Sequence, residues 1–261
     1  MPELPEVEEA MRRLRAAIEG KTIAAVRTVH FALKRQLPDA KARRLKAKRI
    51  ARVERRGKHQ LIHLDDGSVL HAHFRMNGDW MISRADGAPD KFTRAFIDLT
   101  DGTRVELHDR RALSALSLHG SAADSLPSLG MEANDESLDA AYLSKALRSR
   151  RGPIKPALMD QKVLAGLGNI YAAEALWRAR INPRAVASSV SKARLARLVG
   201  AVRDVLGSEN RPPGRYTDTT NRHRFAVYDR EGEPCVVCET PIRRIIQAGR
   251  STYFCPKCQR S

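Results

Sequence analysis

Apolar residues recur at helical spacing from the very start of the chain, in MPELPEVEEAMRRLRAAIEG. Val7, Met11, Leu14 and Ile18 fall on one face, and Gly20 follows the last of them. This spacing is typical of an amphipathic helix, and proline and acidic residues suit its first turn. The sequence therefore predicts a helix that begins within the first few residues, where chain ends are usually disordered.

The next part of the chain has the alternating pattern of short strands. The stretches ARVERRGKHQLIHLDDGSVLHAHFRM and RAFIDLTDGTRVELH alternate or run apolar around Asp66-Gly67 and Asp101-Gly102. Asp-Gly between two such runs is a strong signal for a tight hairpin turn. Residues 22 to about 110 are therefore predicted to form the strands of a β-sandwich or barrel.

The pattern changes to helical spacing from about residue 135. It continues through DESLDAAYLSKALRS, KPALMDQKVLAGLGNIYAAEALWRA and SKARLARLVGAVRDVL, with acidic or serine caps before the first and third. Two stretches rich in turn formers, HGSAADSLPSLGMEAN and GSENRPPGRYTDTTNRHR, are predicted to be an interdomain linker and a second long loop. The chain is thus predicted to be α+β and multidomain.

The charge balance narrows the partners that such a chain can have. It carries 47 Lys and Arg against 30 Asp and Glu, a formal net charge of +17 spread along 261 residues. That excess favours a polyanion bound by a folded basic surface rather than by a tail. No apolar stretch is long enough to span a bilayer and no export leader is present, so we expect a cytoplasmic protein with no membrane partner.

All four cysteines lie near the C-terminus in two C-x-x-C pairs separated by 16 residues: Cys235, Cys238, Cys255 and Cys258. This spacing predicts one structural zinc ion with four thiolate ligands, which leaves no open position for catalysis. Two disulfides are the alternative, which a cytoplasmic setting disfavours. Between the pairs, Arg243 and Arg244 suit a solvated edge, whereas Arg250 is a candidate to contact a phosphate.

A glycine-rich turn interrupts the second helical stretch. Gly166 and Gly168 stand just before Asn169, where a helix resumes. Backbone N–H groups at such a turn can hold a phosphate, and Asn169 adds a side-chain donor. The same turn also joins packed helices without binding anything, so the signal is weak by itself.

Four stretches together resemble the formamidopyrimidine-DNA glycosylase and endonuclease VIII family: MPELPEVE, RRGK, LMDQKVLAGLGNIYAAEAL and GEPCVVC…GRSTYFCPKC. The resemblance implies an N-terminal helix plus β-sandwich in residues 1–120, a helix–two-turn–helix domain in 121–226 and a zinc finger in 227–261. It also implies a monomer that clasps damaged double-stranded DNA, excises oxidised bases in base-excision repair and cleaves the strand. A bacterial, nucleoid-associated location follows from the same likeness.

The resemblance implies that Pro2 is the nucleophile once Met1 is removed. An α-amine titrates near neutrality, so part of it is unprotonated and able to attack the sugar C1′. The imine of a secondary amine is a permanent cation, which acidifies the C2′ hydrogens and promotes β,δ-elimination. Glu3 is expected to be the general acid, a role that a raised carboxyl pKa favours.

The remaining implied roles belong to residues that contact DNA. The family likeness gives Lys58 and Arg250 catalytic positions near the lesion and its phosphate, and gives DNA contacts to His73, Met76, Arg111 and Asn169. Met76 would fill the gap left by the flipped nucleotide, and Arg111 would pair with the orphaned base. Without the resemblance, Met76 would be interpreted as a core residue and Arg111 as part of a surface salt bridge.

Two departures from the family leave the lesion open. Ala112 stands where the oxidised-purine enzymes place a wedging phenylalanine, and the 211–228 loop lacks their glycine-rich, aromatic pattern. Oxidised purines, oxidised pyrimidines and abasic sites therefore all stay candidates. A non-catalytic DNA-binding relative and a zinc-ribbon RNA protein are the rival functions, and neither explains Pro2 followed by Glu3.

Overall fold

The structure, a computed structural model, describes residues 1–207 and 225–260. Most of the second predicted loop lies outside the described residues, and so do residues 211–224 of the stretch that departs from the family pattern. The chain divides into two compact units, Met1–Pro127 and Ser128–Ser261. Each unit is described by itself below.

The predicted N-terminal helix is confirmed as α1, Leu4–Ile18. Val7, Met11, Leu14 and Ile18 are all fully buried, as the apolar stripe predicts. The helix ends at Ile18, and Gly20 adopts a left-handed φ of 82° that a glycine takes without steric strain. Helix α1 thus has its apolar face in a core from its first turn onward.

Eight strands follow in the first unit and form two four-stranded sheets. The strands are β1 (Ile23–Thr28), β2 (Ile50–Arg56), β3 (His59–Leu64), β4 (Val69–His73), β5 (Asp79–Arg84), β6 (Thr93–Leu99), β7 (Thr103–His108) and β8 (Ala115–His119). Their orders are β2-β3-β4-β8 and β1-β6-β7-β5, and every pairing is antiparallel. Both predicted Asp-Gly turns are confirmed between β3 and β4 and between β6 and β7.

The two sheets and α1 share one hydrophobic core, which makes the first unit a β-sandwich with a helix packed on it. Ile62 and Leu70 from one sheet lie in the same buried cluster as Ile97 and Leu107 from the other. The indole N–H of Trp80 on β5 donates a hydrogen bond to the buried Gln60 side chain on β3, and this bond also joins the two sheets.

The sequence prediction was wrong about residues 31–43, which are helical. They form α2, Phe31–Gln36, and α3, Asp39–Arg43. His30 caps α2 by accepting a hydrogen bond from the Ala32 N–H, and Leu33, Leu37 and Ala42 are buried. Leu33 and Leu37 are four residues apart, which is helical spacing, and the three residues between them are all polar rather than alternating.

The second unit begins after α4, Ala122–Ser125, and is mainly helical. Its elements are β9 (Met131–Glu132), α5 (Ala140–Leu147), α6 (Ile154–Met159), β10 (Leu164–Ala165), α7 (Asn169–Arg178), a short 3-10 turn (Ala187–Ser189) and α8 (Lys192–Leu206). Asp139 and Ser191 cap α5 and α8 through their side chains, as the sequence predicts. No helix within the described residues is long and apolar enough to cross a bilayer.

The C-terminal residues form a hairpin that packs on α7. Strands β11 (Arg243–Gln247) and β12 (Arg250–Phe254) pair antiparallel. Tyr253 and Cys255 share a buried cluster with Ala173 of α7. The C-terminal hairpin therefore shares a core with helix α7 of the second unit.

Candidate functional site

Helix α1 runs antiparallel to β2, so its N-terminus lies beyond the end of that strand. Near the C-terminal end of the helix, the Glu19 carboxylate accepts a hydrogen bond from the Val53 N–H at 2.9 Å. Nearer its start, the Glu8 carboxylate pairs with the Arg55 guanidinium at 2.6 Å. The first residues of α1 are thereby directed toward the turn between β2 and β3.

The same arginine holds that turn. Arg55 is largely buried and donates a second hydrogen bond to the Gly57 carbonyl oxygen at 2.9 Å. Gly57 has a φ of 58°, which favours glycine, and Lys58 is the second residue of the turn. Lys58, which the family likeness places near the lesion, therefore occupies a tight turn rather than a strand, and it is 6% exposed.

Pro2 and Glu3 are buried at the start of the chain rather than disordered. Glu3 is 1% exposed and is the N-cap of α1, and its N–H donates to the Glu6 carboxylate at 3.0 Å. This contact belongs to a capping box, which stabilises the first helical turn. Removal of Met1 would turn the amide nitrogen of Pro2 into a secondary amine at this fixed position.

His73 ends β4 beside the same turn. In the sheet register it pairs with His59, the residue after Lys58, and the two rings lie 4.9 Å apart between centroids. Its Nδ1 accepts a hydrogen bond from the Arg75 N–H at 2.9 Å. A neutral imidazole with Nδ1 as acceptor carries its proton on Nε2, which leaves Nε2–H as a donor.

Burial keeps this histidine uncharged. Loss of solvent, followed by the charges of His59, Arg75, His71 and Lys58, lowers the pKa of His73 to about 3. Burial and the neighbouring histidines also lower the pKa of His71 to about 4. Both rings are therefore neutral at pH 7.

Two loops at the same end of the β2-β3-β4-β8 sheet carry Met76 and Arg111. Met76 is 39% exposed, so it is not a core methionine. Arg111 is exposed and forms no ion pair within residues 1–207 and 225–260. Arg75 and Ala112, the neighbours of these two residues, have left-handed φ values of 53° and 52°. Backbone strain thus lies beside both candidate DNA contacts.

A buried carboxylate stabilises the second loop. Asp109 is fully buried and accepts hydrogen bonds from the N–H groups of Arg111, Leu113 and Ser114 and from the Ser114 hydroxyl. Burial alone would raise the pKa of Asp109, but these hydrogen bonds outweigh it and lower the pKa. The loop is therefore held in one conformation by an ionised group.

The two loops are packed against each other. The Ser114 hydroxyl, which donates to Asp109, also lies 3.3 Å from the Phe74 carbonyl oxygen, and Gly78 lies against both Ser114 and Phe74. A Cβ atom at Gly78 would come within 2.7 Å of the Phe74 Cα and of the Ser114 Oγ. Only glycine fits this close approach, so the positions of Met76 and Arg111 are coupled.

Leu113 is a residue of this loop that sequence reasoning missed. It follows Ala112 directly and is 45% exposed, although it is large and apolar. An apolar residue within the polar turn HDRRALS was the available signal. With Met76 it gives this end of the unit two exposed apolar side chains beside Arg111.

In the second unit, Asn169 is the first residue of α7 and Gly168 is its N-cap. The Asn169 amide donates to the Ser251 carbonyl oxygen of β12 at 3.1 Å. Gln161 accepts a hydrogen bond from the Gly166 N–H and donates to the Leu167 carbonyl oxygen. The predicted glycine turn is therefore a fixed structure that opens a helix.

Lys155 is a second residue that the sequence did not identify. It is 1% exposed, and its Nζ donates to Asn169 Oδ1 at 2.5 Å and to Thr252 Oγ1 at 2.9 Å. Nothing in KPALMD separates this lysine from one on a helix surface. It joins the start of α7 to the strand that begins at Arg250.

Arg250 is exposed at the start of β12, where the hairpin emerges from its turn. A cavity of about 140 Å³ lies beside it and is also lined by Lys155, Met159 and Gln247. Arg243 and Arg244 are exposed on the other strand, as a solvated edge predicts, and Arg244 pairs with Glu231. The second unit thus brings Asn169 and Arg250 to one place through Ser251 and Lys155.

The four cysteines are gathered at the base of the same hairpin as free thiols. All four Sγ atoms lie within 4.8 Å of one another, and neighbouring pairs are 3.4 to 3.9 Å apart. Zinc at about 2.3 Å from each sulfur of a tetrahedron places the sulfurs roughly 3.8 Å apart. The thiol cluster therefore fits a tetrahedral metal ion, and its four cysteines are free thiols rather than the two disulfides that were the alternative.

Three family models match the chain in order along its length. They are the formamidopyrimidine-DNA glycosylase N-terminal domain at residues 1–116, the H2TH domain of the same proteins at 129–210, and a zinc finger found in FPG and IleRS at 232–260. The chain belongs to the formamidopyrimidine-DNA glycosylase family. The predicted fold class of helix plus β-sandwich, helix–two-turn–helix domain and four-cysteine zinc finger is thereby confirmed.

Relatives and solved structures agree with this membership over whole chains. Formamidopyrimidine-DNA glycosylases of Cereibacter sphaeroides and Sphingopyxis alaskensis are 39% and 41% identical, with 100% of each chain covered. A structure of MutM in complex with DNA containing carbocyclic 8-oxo-G has a TM-score of 0.89 at 29% identity, covering 100% of both chains. The Lactococcus lactis Fpg bound to DNA containing an abasic site, also with complete coverage, has a TM-score of 0.86 at 28% identity. This family member is accordingly a DNA glycosylase of repair.

Gly78→Ala is expected to destabilise the first unit of this glycosylase by about 1–3 kcal/mol, because the new methyl group forces the two loops apart. Denaturant unfolding of the glycosylase would measure the loss. Gly87→Ala is the matched control, since nothing lies within 4 Å of a Cβ atom there. That control should change stability by less than about 0.5 kcal/mol. Equal stability of the two variants would contradict the coupling of the loops.

The His73 ring is expected to titrate near pH 3 and to carry its proton on Nε2 at pH 7. Nitrogen NMR of the imidazoles reports both properties. Because its folded pKa lies below the unfolded value of about 6.5, stability should fall as pH drops through 6.5. His73→Asn should remove up to about 1.4 kcal/mol per pH unit of that dependence between pH 6.5 and 5. A ring charged at pH 6 would contradict the assignment.

Proposed function

We propose that this protein excises oxidised bases from duplex DNA and then cleaves the strand at the resulting abasic site through Pro2. The observation that carries the proposal is the buried, capped start of the chain, with Pro2 and Glu3 directed toward the Lys58 turn by the Glu8–Arg55 ion pair. The first residues of a domain are usually poorly ordered unless contacts tie them down, as the cap and burial do here.

The proline nitrogen supplies the nucleophile after Met1 has been removed. Its lone pair forms a bond to the sugar C1′ while the bond from C1′ to the base breaks, and the base leaves with a proton. The nitrogen gives up its own proton, the C1′–O4′ bond of the sugar then breaks as O4′ takes a proton, and the nitrogen lone pair forms a double bond to C1′. The resulting iminium is a cation with no N–H proton to lose. It withdraws electrons from C2′, so that a C2′ proton and then the two flanking phosphates depart by β- and δ-elimination.

Glu3 is the proton donor in this scheme. It is next to the nucleophile in the chain, and its backbone is fixed by the hydrogen bond to Glu6. A side chain that acts as a general acid must be held within hydrogen-bond reach of the atom it protonates. Burial at the N-cap of α1 provides that restraint.

Lys58 and His73 are proposed to hold the phosphate and sugar of the lesion nucleotide. The two residues are adjacent through His59, which follows one and pairs with the other. Lys58 offers a charge, whereas His73 offers the Nε2–H of a neutral ring, since Nδ1 is already an acceptor. Such phosphate contacts fix the register of DNA on the protein.

Met76, Arg111 and Leu113 are proposed to occupy the duplex at the lesion. Arg111 has its donors free of ion pairs within the described residues and is set to pair with the orphaned base. Met76 and Leu113 are exposed apolar side chains that can fill the space left by a flipped nucleotide. Leu113, rather than Ala112, is the side chain large enough to wedge beside the opposite base.

Asn169 and Arg250 are proposed to bind phosphates of the damaged strand. Asn169 begins a helix, where backbone N–H groups and the helix dipole favour an anion. Lys155 and Ser251 hold the Asn169 amide, so the amide orientation is fixed before DNA binds. The partner is damaged double-stranded DNA and the protein acts as a monomer in this proposal.

The four cysteines are proposed to hold one structural zinc ion. A structural ion with four thiolates contributes folding energy and keeps the hairpin, with Arg250, in place. The Cys255 N–H bonds Gln259, which donates to the Ile181 carbonyl oxygen and so connects the cluster to the helical core.

Borohydride is expected to trap a covalent complex between the processed protein and a duplex that contains an abasic site, because an iminium is reducible. Pro2→Gly should lower the trapping rate at least tenfold, and mass spectrometry should place the adduct on residue 2. Glu3→Gln should slow base release by about 10²–10⁴-fold. Glu9→Gln, on the exposed face of the same helix, is the control and should keep the wild-type rate.

Wild-type protein that yields no adduct, or a Pro2→Gly variant that reacts at the normal rate, would disprove the nucleophile. Base release from duplexes that each carry one oxidised purine or pyrimidine would identify the lesion class in the same experiment.

Metal analysis is expected to find one zinc per chain. Its removal by a chelator should raise amide hydrogen exchange in residues 225–260, whereas exchange in β2 to β8 should not change, because no cysteine lies in the first unit. A protein that contains no zinc, or amide hydrogen exchange in residues 225–260 that does not change when the chelator is added, would argue against the structural ion.

A further inference from the structure

A basic pocket lies at the end of the first unit opposite to the candidate active site. In β4 and β8, His73 pairs with Ala115 at one end and Val69 pairs with His119 at the other. Met76 and Arg111 extend from the first end, and Asp66 and Gly120 flank the second. Val69 and His73 are four residues apart, or about 13 Å along the strand.

The pocket has a volume of about 400 Å³, which is within the usual range for ligand sites. It is lined by Lys41, Arg44, Leu45, Lys48, Asp66, Ser68, Leu118, His119 and Gly120. Only two of these, Leu45 and Leu118, are large apolar residues.

Its charges are not balanced within the pocket. The only carboxylate, Asp66, pairs with Lys48 at 2.9 Å and accepts hydrogen bonds from the N–H and hydroxyl of Ser68. The Ser68 and Lys48 hydrogen bonds lower the pKa of Asp66 to about 2, so it is ionised at neutral pH. Lys41 and Arg44 form no ion pair within the part of the chain that the structure describes. An excess of two positive charges therefore faces the cavity.

The positive charge continues past the pocket along the chain. The segment KARRLKAKR, residues 41–49, contains six basic residues and no acidic one. Arg43, Lys46 and Arg49 are exposed there. A single small phosphate ester would engage the pocket alone, whereas a polymer with regularly spaced phosphates matches the whole segment.

We propose that this pocket, with residues 41–49, binds backbone phosphates of a nucleic-acid segment other than the one held at the active site. The contact carries no sequence information and acts through charge. It gives the protein a second hold on DNA during its search for damage, independent of the chemistry at Pro2.

The test is the salt dependence of binding to an undamaged duplex of about 40 base pairs. Each phosphate contact contributes a slope of about −0.9 to the plot of log affinity against log salt concentration. Lys41→Gln with Arg44→Gln should make that slope shallower by about 1.8. The control is Lys192→Gln with Arg197→Gln on α8, two exposed cations that also lack an ion pair within the described residues. The control slope should stay near the wild-type value.

Amide NMR locates the contact and identifies its source. Addition of the duplex is expected to shift the Ser68 and Gly120 signals in the wild type and not in the pocket variant. Inorganic phosphate is the second probe: shifts caused by phosphate and not by the duplex would overturn the nucleic-acid assignment in favour of a small phosphorylated ligand. Equal loss of slope in both variants would overturn it as well, since net charge alone would then explain binding. Circular dichroism confirms that each variant is folded.

Discussion

The Glu8–Arg55 ion pair connects the first helix to the turn that contains Lys58. A reactive group at a chain terminus needs an anchor, because terminal residues are otherwise mobile. Arg55 pairs with Glu8 on α1 and also donates to the Gly57 carbonyl oxygen, so one guanidinium contacts both the first helix and the turn formed by Gly57 and Lys58. A guanidinium has five N–H donors in a fixed planar arrangement, so it can bond two partners at once. A lysine ammonium lacks this fixed geometry.

The loops of the first unit solve a related problem, which is to present exposed side chains from a strained backbone. Arg75 and Ala112 both have a positive φ, a conformation that costs an L-residue of order 1 kcal/mol or more. Asp109 offsets this cost by accepting three backbone N–H groups around Ala112. Gly78 lies against both Phe74 and Ser114, so the hydrogen bonds that hold the Arg111 loop also restrict the loop that carries Met76. The two loops are therefore ordered before any ligand binds.

Sequence patterns predicted the elements whose signals are local. The helical stripe of Val7 to Ile18, the Asp-Gly turns and the spacing of the cysteine pairs each lie within one short stretch. Arg55 and Lys155 could not be identified in this way, because their partners are distant in the chain. Glu8 is 47 residues from Arg55, and Thr252 is 97 residues from Lys155. The turn position of Lys58 likewise depends on strand pairing, which its neighbours alone do not specify.

The distribution of charge separates positioning from affinity. Burial lowers the pKa of His73, and repulsion by the charges of His59, Arg75 and Lys58 lowers it further. A neutral Nε2–H can orient a phosphate there without adding charge to a crowded place. The net charge of +17 is instead carried by exposed groups such as Arg250, Lys41 and Arg44, where water reduces the cost of their mutual repulsion. Buried contacts thus set geometry, and exposed cations supply the long-range attraction to a polyanion.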